Sequence, residues 1–563
     1  MAKKTTTFEV QTLQDERWVF ESRFDDEASA RTHGVNLLAE GDHLAIRIAK
    51  DWARADGKHV ETEIHVEYAK KKENIIVEKI DDAPICGALE DYYGFDARLT
   101  MSQLLRNYVA KIGTTPTEIL HSYSEFRRLE AYDNVLVAVV AKVASVQAAK
   151  LDVDAMARRD ALYDVIGQLA TRARDAESDP DLPSLREIAF PEAFATVARL
   201  KPEAVGFYTN VMLCRELVQT RNLLAKLQLL LGWMPSHEQV PGDAVRIMDG
   251  LISDLVSSPT VFNELIGEQR NLAHALCALV DLASGCFAPT GRLGSELSIQ
   301  LNRITAAAVL PDTRKTLLFN VARLLRGTTA LDRLRPEDEP EAYEQIFRRL
   351  LTNDGVIGGG IMAEALVRRF LRFVEVGGVK GMRQAITGAA DVAPDGRAKL
   401  RFLISLFQSP LAQEHGTDIL YLLDEVSSAN NFIDPRLPLK TNLEQMTAVH
   451  DFVRKSPLPE TSRDVIAGRI DDLLVNYISG SKIVERLDKP DDLLRHRAIR
   501  LLQLCAPGVL RSPKALNVVR SRVVEHLRQA NFDDKYVEDL ADAGQRERAL
   551  RDLKGMLERA GLR

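Results

Sequence analysis

Three small residues, Gly358, Gly360 and Ala363, have the spacing of the glycine fingerprint that binds a dinucleotide pyrophosphate. In that fingerprint the glycines follow a buried strand, and amides at the start of the next helix bind the phosphates. Here helical spacing continues almost up to the glycines, so only Val356 and Ile357 remain to form a strand. The sequence therefore predicts a glycine-rich helix start and no dinucleotide cofactor.

The residues after the glycines provide a second test of the fingerprint. Four polar residues recur there at intervals of four, four and three: Glu364, Arg368, Arg372 and Glu375. This spacing predicts one continuous helix that reaches Glu375 and contains a Glu364–Arg368 pair, whereas a nucleotide-binding unit needs a second strand. What remains is an anion site at the helix N-terminus, formed by Gly358, Gly359 and Gly360.

One predicted strand combines residue types that can bind a metal. Alternation places five polar residues on the same face of "HVETEIHVEY": His59, Glu61, Glu63, His65 and Glu67. Glu63, His65 and Glu67 are acceptable metal ligands, but a charged outer face that discourages edge pairing explains them more simply. We therefore predict no metal site.

The cysteines show no pattern that indicates catalysis or disulfide bonding. There are five, an odd number, without C-x-x-C spacing, and reduced thiols in a cytoplasmic protein are the simplest interpretation. His274 and Cys277 lie three residues apart in an otherwise apolar segment, which favours a buried core helix over a nucleophile pair. No other catalytic motif is present, so we predict that the protein is not an enzyme.

The C-terminal region carries the densest run of positive charge. Its main basic residues are Arg495, Arg497, Arg500, Arg511, Lys514, Arg520, Arg522 and Arg528. One alternative is a nucleic-acid site on the surface formed by Arg495, Arg497, Arg511, Lys514, Arg520 and Arg522. The region contains no aromatic residue to stack on bases, and the acidic segment 531–544 follows it. A solvated helical face opposite that segment is the preferred interpretation, and nucleic acid is disfavoured.

The first eighty residues have the pattern of a small α+β domain. "TFEVQTL" and "ERWVFES" alternate in polarity, a helix follows, and two more strands flank an Asp56-Gly57 turn. We predict a ββαββ domain at 1–80, with "NIIVEKI" as a candidate fifth strand. A connector at 81–100 follows.

The remaining sequence predicts helices only. Helix starts are indicated by capping boxes at Thr115, Ser184 and Thr441. A further start is indicated by a capping serine followed by proline at Ser512-Pro513. The fold class is therefore predominantly α, with a long all-α array that is either a HEAT-like solenoid or a series of helical bundles. Proline-bearing connectors divide this array into a first helical segment at 101–175, a central array at 184–430 and a C-terminal domain at 440–563.

Composition limits the functions that this architecture can serve. The net charge of -7 and a pI of about 6.0 argue against a general attraction to nucleic acid or anionic lipid. The apolar runs are too short and too interrupted to span a membrane, and no apolar stretch follows the two N-terminal lysines, which predicts no secretory signal. A composition rich in Ala, Arg and Asp favours a bacterial source.

We therefore expect a cytoplasmic, non-enzymatic scaffold or regulatory protein that binds protein partners through the helical array and the N-terminal domain, and self-association is a further expectation. One alternative is an anion sensor or enzyme with a site near Gly358 and Gly360, which a pocket lined by Arg368, Arg369 or Arg372 would support. The other alternative is a nucleic-acid binder that uses the basic C-terminal region.

Overall fold

A computed structural model describes residues 6–14, 17–40, 45–53, 59–68, 75–132, 134–234, 241–289, 295–429, 432–506 and 509–562. The chain is 68% helical and forms 27 α-helices within these residues. It divides into two compact units, Met1–Ile76 and Val77–Arg563. A predominantly α fold with an N-terminal α+β module is thus confirmed, and the finer division of the helical region stays a prediction.

The first unit is a four-stranded antiparallel sheet with one helix on it. Its elements are β1 (Thr6–Gln14), β2 (Arg17–Phe24), α1 (Glu27–Glu40), β3 (Ala45–Ala53) and β4 (His59–Tyr68). The strand order is β2-β1-β3-β4. The residues buried between helix and sheet are apolar: Val10, Ala30, Leu37, Ile46 and Ile48. Residues 75–80 form no strand, so the candidate fifth strand is wrong, and the Asp56-Gly57 turn lies outside the described residues.

The second unit is a helical array interrupted by one short hairpin. Its first helices are α2 (Phe95–Leu104), α3 (Arg106–Ile112), α4 (Pro116–His121), α5 (Tyr123–Glu130), α6 (Val135–Leu151), α7 (Ala155–Glu177), α8 (Phe190–Leu200), α9 (Val205–Leu217), α10 (Leu223–Trp233), α11 (Gly242–Val256), α12 (Pro259–Ile266), α13 (Leu272–Ala283), α14 (Ser295–Ala306) and α15 (Pro311–Arg326). The array continues with α16 (Glu339–Leu350), β5 (Leu351–Thr352), β6 (Gly355–Val356), α17 (Gly359–Phe370), α18 (Gly378–Asp391), α19 (Gly396–Phe407), α20 (Leu411–Ser428), α21 (Leu439–Lys455), α22 (Glu460–Gly480), α23 (Ile483–Leu487), α24 (Leu494–Leu504), α25 (Pro513–Leu527), α26 (Phe532–Tyr536) and α27 (Ala543–Arg559).

From α11 onward, helices pack mainly on helices that follow closely in the chain. Successive contacts run from α11 to α15, then to α17, α19, α20, α22 and α25. One hydrophobic core extends through this region, from Ala176 to Ala560. Such sequence-local packing is the arrangement expected of a helical array.

Three helices that begin with proline have their first amides bound by an aspartate from a distant helix. Asp254 and Asp249 on α11 bind the starts of α4 and α15, and Asp471 on α22 binds the start of α25. At α25, the Asp471 carboxylate accepts hydrogen bonds from the amides of Lys514 (2.9 Å) and Ala515 (3.0 Å). These carboxylates satisfy donors that every helix start leaves free, and they join helices far apart in the sequence.

The predicted helix starts are only partly correct. Thr115 caps α4 by accepting a hydrogen bond from the Glu118 amide at 3.2 Å, as predicted. The Ser184 box is wrong because its residues form a turn before α8, and Thr441 lies inside α21, which begins two residues earlier. At Ser512-Pro513 a helix does begin, but Asp471 supplies the cap.

Among the described residues no single helix is long and apolar enough to cross a membrane. Only α5 and α6 together reach the required length and apolarity, and these two helices are bent by 89° relative to each other.

Candidate functional site

The glycine segment forms a hairpin that leads into α17. Gly358 and Gly359 have the positive φ angles that glycine adopts readily. A Cβ at Gly360 would lie 2.7 Å from the Gln408 carbonyl carbon, so this glycine permits close packing of α17 on the chain between α19 and α20. These contacts show close backbone packing at the helix start, and the anion site at these glycines stays a prediction.

The prediction of one helix to Glu375 is wrong. The α-helix ends at Phe370, a 3-10 turn covers Leu371–Phe373, and Val374 is extended. The turn lets the rings of Phe370 and Phe373 both pack edge-on against Tyr343, at centroid distances of 5.5 and 5.8 Å. Aromatic packing on α16 therefore outweighs continuation of the polar stripe.

The arginines near the end of α17 are bonded to Glu364 and to carbonyls at and just beyond the end of α15. Arg368 donates to Glu364 at 2.6 Å, which is the predicted pair. The fully buried Arg369 donates to the carbonyls of Leu325, Thr329 and Leu324 at the end of α15 and just beyond it. Arg372 donates to two further carbonyls in that region. These arginines stabilise the C-terminal end of α15, so they do not support the sensor alternative in the predicted form.

A different group of arginines lines a cleft of about 480 Å³ beside the hairpin, which we call the arginine cleft. Its lining residues come from α16, β5, the start of α19, and α21: Arg348, Leu351, Thr352, Asn353, Pro394, Asp395, Arg397, Ala398, Arg401 and Gln445. Three arginines face one aspartate in this lining. The lining side chains therefore carry more positive than negative charge, which favours an anionic group, although Glu344 pairs with Arg348 and Asp354 lies near enough to act on Arg401.

Gly355 allows the hairpin to reach α19. A Cβ there would lie 2.7 Å from the Ser405 hydroxyl, and the residue has a φ of +100°. The Ser405 hydroxyl accepts a hydrogen bond from the Val356 amide at 3.1 Å and donates to the Arg401 carbonyl at 2.9 Å. One side chain thus ties β6 to the helical turn that carries Arg401, and Asn353 lies in the cleft wall.

The guanidinium of Arg397 is held in place on one wall of the cleft. Its Nε and Nη2 atoms donate to Asp395 at 3.2 and 2.7 Å, and its Nη1 atom donates to Gln445. Asp395 also accepts from the Ala398 amide at 2.8 Å and so caps α19. Arg397 therefore has a structural task in addition to its contribution to the positive charge.

Arg401, one turn further along α19, has no such partners. It is only 7% exposed, and its Nε and Nη2 atoms, both covered, donate to no acceptor in the part of the chain that the structure describes. Burial lowers the pKa of Arg401, and the Asp395 carboxylate opposes this effect. Nε and Nη2 form one edge of the guanidinium, the fork that binds a carboxylate or phosphate with two parallel hydrogen bonds. Arg401 is thus a buried cation with an unused anion-binding edge.

The predicted basic surface consists largely of paired charges. Its ion pairs within the described residues are Arg495–Asp539, Arg497–Asp488, Arg511–Asp451, Lys514–Asp472, Arg522–Asp488 and Arg522–Glu525. Arg520 lies against Gly561. Only Asp539 belongs to the acidic segment 531–544, so most partners come from other helices. Carboxylates beside these side chains compete with phosphate, which weakens the nucleic-acid alternative.

Asp488 is the centre of this network. It is fully buried at its side chain and accepts from Arg497 (2.6 Å), Arg522 and His526 (2.7 Å). Burial alone would raise the pKa of Asp488, but the hydrogen bonds from Arg497 and Arg522 lower it overall. Gln529 occupies the other ring nitrogen of His526 at 2.9 Å, so this Asp–His pair has no adjoining nucleophile and holds helices together.

A second buried set of polar residues surrounds α4, and we call Arg98, Thr117, Glu118, Lys226 and Asp254 the α4 cluster. Arg98 donates to Asp254 at 2.8 Å, and the same carboxylate accepts from the amide and hydroxyl of Thr117 at 2.9 and 2.6 Å. Lys226 contacts Glu118 at 2.5 Å with both side chains fully buried. The sequence suggested a local capping role for Glu118, but its partner lies 108 residues away.

His121, at the end of α4, is a buried neutral base. Its ring contacts those of Tyr93 and Phe207, at centroid distances of 4.9 and 5.1 Å, and these two rings also contact each other at 5.3 Å. Burial lowers its pKa to about 3, although the hydrogen bond from Nδ1 to the Thr117 carbonyl (2.8 Å) opposes the shift. The ring is packed too closely to serve as a surface proton shuttle.

The remaining chemical candidates have structural partners. Glu61 and Glu63 on β4 pair with Arg47, and no group of three or more potential ligands near enough to share a metal occurs among the described residues. His274 binds Asn271 at the start of α13 at 2.7 Å. Burial raises the pKa of Cys277 to about 11, which makes it a poor nucleophile.

Comparison with models of protein families, with curated proteins and with solved structures finds no match for this chain. The site must therefore be interpreted from its geometry. Sequence reasoning missed Arg397 and Arg401, although their i,i+4 spacing after the capping residue Asp395 was a visible signal of two cations on one helical face.

Proposed function

We propose that this protein is a non-enzymatic scaffold whose helical array, a solenoid of stacked helices, binds an acidic segment of a protein partner in the arginine cleft. The observation that carries the proposal is the unused Nε and Nη2 edge of Arg401 beside that cleft. A carboxylate placed on this edge satisfies both donors and neutralises a buried charge. The expected location is the cytoplasm, in keeping with five free cysteines.

The cleft offers two levels of contact for such a segment. Arg348 at the rim is 62% exposed at its side chain and pairs with Glu344, so a carboxylate from solution must compete with Glu344 there, whereas Arg401 is buried. Both donor atoms of Arg401 are covered in the unbound structure, so a lining side chain must turn aside as the carboxylate enters. Arg397, fixed by Asp395 and Gln445, keeps the wall rigid during this change.

The test is binding of a fluorescent oligoglutamate peptide, measured by anisotropy. Arg401→Met retains the side-chain length and removes the fork, so we expect affinity to fall by about tenfold or more. Arg199→Gln, a change at an exposed arginine on α8, is the matched control and should leave affinity unchanged. Equal binding by wild type and Arg401→Met, or no binding by wild type, would refute the proposal.

The same geometry supports a second candidate, a sensor of a small anion, because the fork also fits phosphate. Inorganic phosphate that displaces the peptide at low concentration, and binds alone with dependence on Arg401, would favour the sensor. Displacement only at concentrations where sodium chloride acts equally would favour the scaffold.

A further inference from the structure

A cavity of about 140 Å³ lies among the first helices of the second unit, separate from the arginine cleft. Its wall contains side chains from α2, α4, α6 and α7, including Leu104, Ile119, Val140, Leu162 and Leu169. The segment before α2 forms a further side through Pro84 and Cys86, and the cavity is partly open. Nearly the whole wall is therefore apolar.

Two polar side chains in the wall, Thr100 and Gln147, are already hydrogen-bonded to the protein. Thr100 donates its hydroxyl to the Asp96 carbonyl at 2.9 Å. The Gln147 amide donates to the Pro84 carbonyl and accepts from Arg158 Nε at 2.8 Å. These bonds occupy the groups that would otherwise bind water or a polar guest.

Two further wall residues are neutral at physiological pH. Burial raises the pKa of the Cys86 thiol and of the Tyr92 hydroxyl above their ordinary values. The cavity therefore presents neither charge nor a thiolate, so carboxylates, phosphates and ammonium groups have no counter-charge inside it.

We propose that this cavity binds a small neutral apolar molecule of about the size of benzene, or a hydrocarbon group of similar bulk. An apolar cavity of about 150 Å³ stays dry and accepts benzene or xenon, because water there lacks hydrogen-bond partners. The inference is independent of the proposed function, since it rests on different residues and a different ligand class.

The segment before α2 is the natural route of entry because it forms the longest non-helical part of the wall, apart from Leu105 between α2 and α3. Three side chains on α6 hold this segment in place. Lys142 donates to the carbonyls of Val77 and Glu78, Gln147 donates to Pro84, and Lys150 pairs with Asp82. Polar contacts at the surface can open and close without disturbing the packed helices.

The experiment measures the thermal unfolding of the full chain with and without benzene. Ligand binding to the folded state raises the unfolding temperature, so we expect an upward shift in wild type. Ala170→Leu fills the cavity from α7 and should abolish the shift, whereas Ala157→Leu, the same change at an exposed position of α7, should retain it. No shift in wild type, or an equal shift in Ala170→Leu, would overturn the inference.

A second measurement does not depend on any variant folding. Cys86 lines the cavity and Cys286 is exposed outside it, so one chain contains both a reporter thiol and its control. Benzene should slow alkylation of Cys86 severalfold and leave Cys286 unchanged, as read from the mass of each peptide. Unchanged alkylation of Cys86, or equal slowing at both thiols, would contradict binding in this cavity.

Discussion

The α4 cluster and the arginine cleft are both built from charged side chains buried among helices of the second unit. In the α4 cluster each charge meets an opposite charge: Arg98 meets Asp254, and Lys226 meets Glu118. In the arginine cleft, Arg397 is bonded to Asp395, but Arg401 keeps one whole edge of its guanidinium unused. Two sites with similar burial thus differ in whether each charge forms an ion pair, although Glu118 Oε2 also lacks a hydrogen-bond partner among the described residues.

The difference separates charges that hold the fold together from a charge that is available to a ligand. Removing one member of a buried pair leaves the other charge uncompensated, which costs stability. Removing an uncompensated charge should instead cost nothing or stabilise the protein. The four predictions below test this contrast, from the largest expected effect to the smallest.

Glu118→Gln should have the largest effect because it leaves Lys226 buried without a counter-charge. We expect a loss of about 4 kcal/mol in the free energy of unfolding, measured by denaturant titration. The double variant Glu118→Leu with Lys226→Met removes both charges and should regain most of this loss. A cost below about 1 kcal/mol for Glu118→Gln would mean that the pair behaves like a surface ion pair.

Arg369→Met should have the second largest effect on stability, because it leaves the buried carbonyls at the end of α15 without a hydrogen-bond donor. With three hydrogen bonds lost, we expect a cost of about 3 kcal/mol. Arg372→Met is the control, because its carbonyl partners lie near an exposed side chain and water can replace it. Similar losses in the free energy of unfolding for the two variants would show that the burial of Arg369 does not determine the cost of removing it.

His121 should make stability depend on pH. Its pKa is about 3 in the folded protein against 6.5 as the ordinary value, so the unfolded chain binds more protons below pH 6.5. The stability that neutral His121 contributes is present above that pH and is lost as pH falls. The expected loss in the free energy of unfolding is about 2 kcal/mol between pH 6.5 and 5. His121→Phe should remove this part of the pH dependence of the free energy of unfolding. His496→Gln, a change at an exposed residue, should retain it. Equal slopes in both variants would contradict the assignment.

Arg401→Met should have the smallest effect and the opposite sign. Because the guanidinium fork is buried without an acceptor, we expect an apolar side chain of similar length to raise stability by about 1 kcal/mol. Arg397→Met, which breaks bonds to Asp395 and Gln445, should lower stability in the same denaturant assay. A destabilised Arg401→Met variant would show that Arg401 has a structural partner.

Local signals predicted local features of this fold well. Thr115 and Pro116 indicated the start of α4 correctly, because a cap bonds to amides within its own first turn. Two of the failures arose where a distant residue intervened. Asp471 caps α25 in place of Ser512, and packing on Tyr343 ends α17 before Glu375. Contacts of this kind cannot be predicted from the residues that are neighbours in the sequence.

For the candidate site, the sequence indicated the glycine segment beside the arginine cleft but different arginines from those that line it. The glycines drew attention to the hairpin beside the cleft, and Gly355 does permit its approach to α19. Arg368, Arg369 and Arg372 were nearer in sequence, yet they are bonded to Glu364 and to α15. Arg401 became the candidate only once its surroundings were known.

The sequence by itself determined the predominantly helical fold, the N-terminal sheet and the glycine-rich start of α17, because periodicity and turn preferences act over a few residues. Apart from the local Glu364–Arg368 pair, the tertiary structure decided which charges are paired. Lys226 finds Glu118 and Arg98 finds Asp254 across more than a hundred residues, while Arg401 finds no acceptor among the described residues. A hydrogen bond depends on distance and direction in space, and chain order does not encode either one directly.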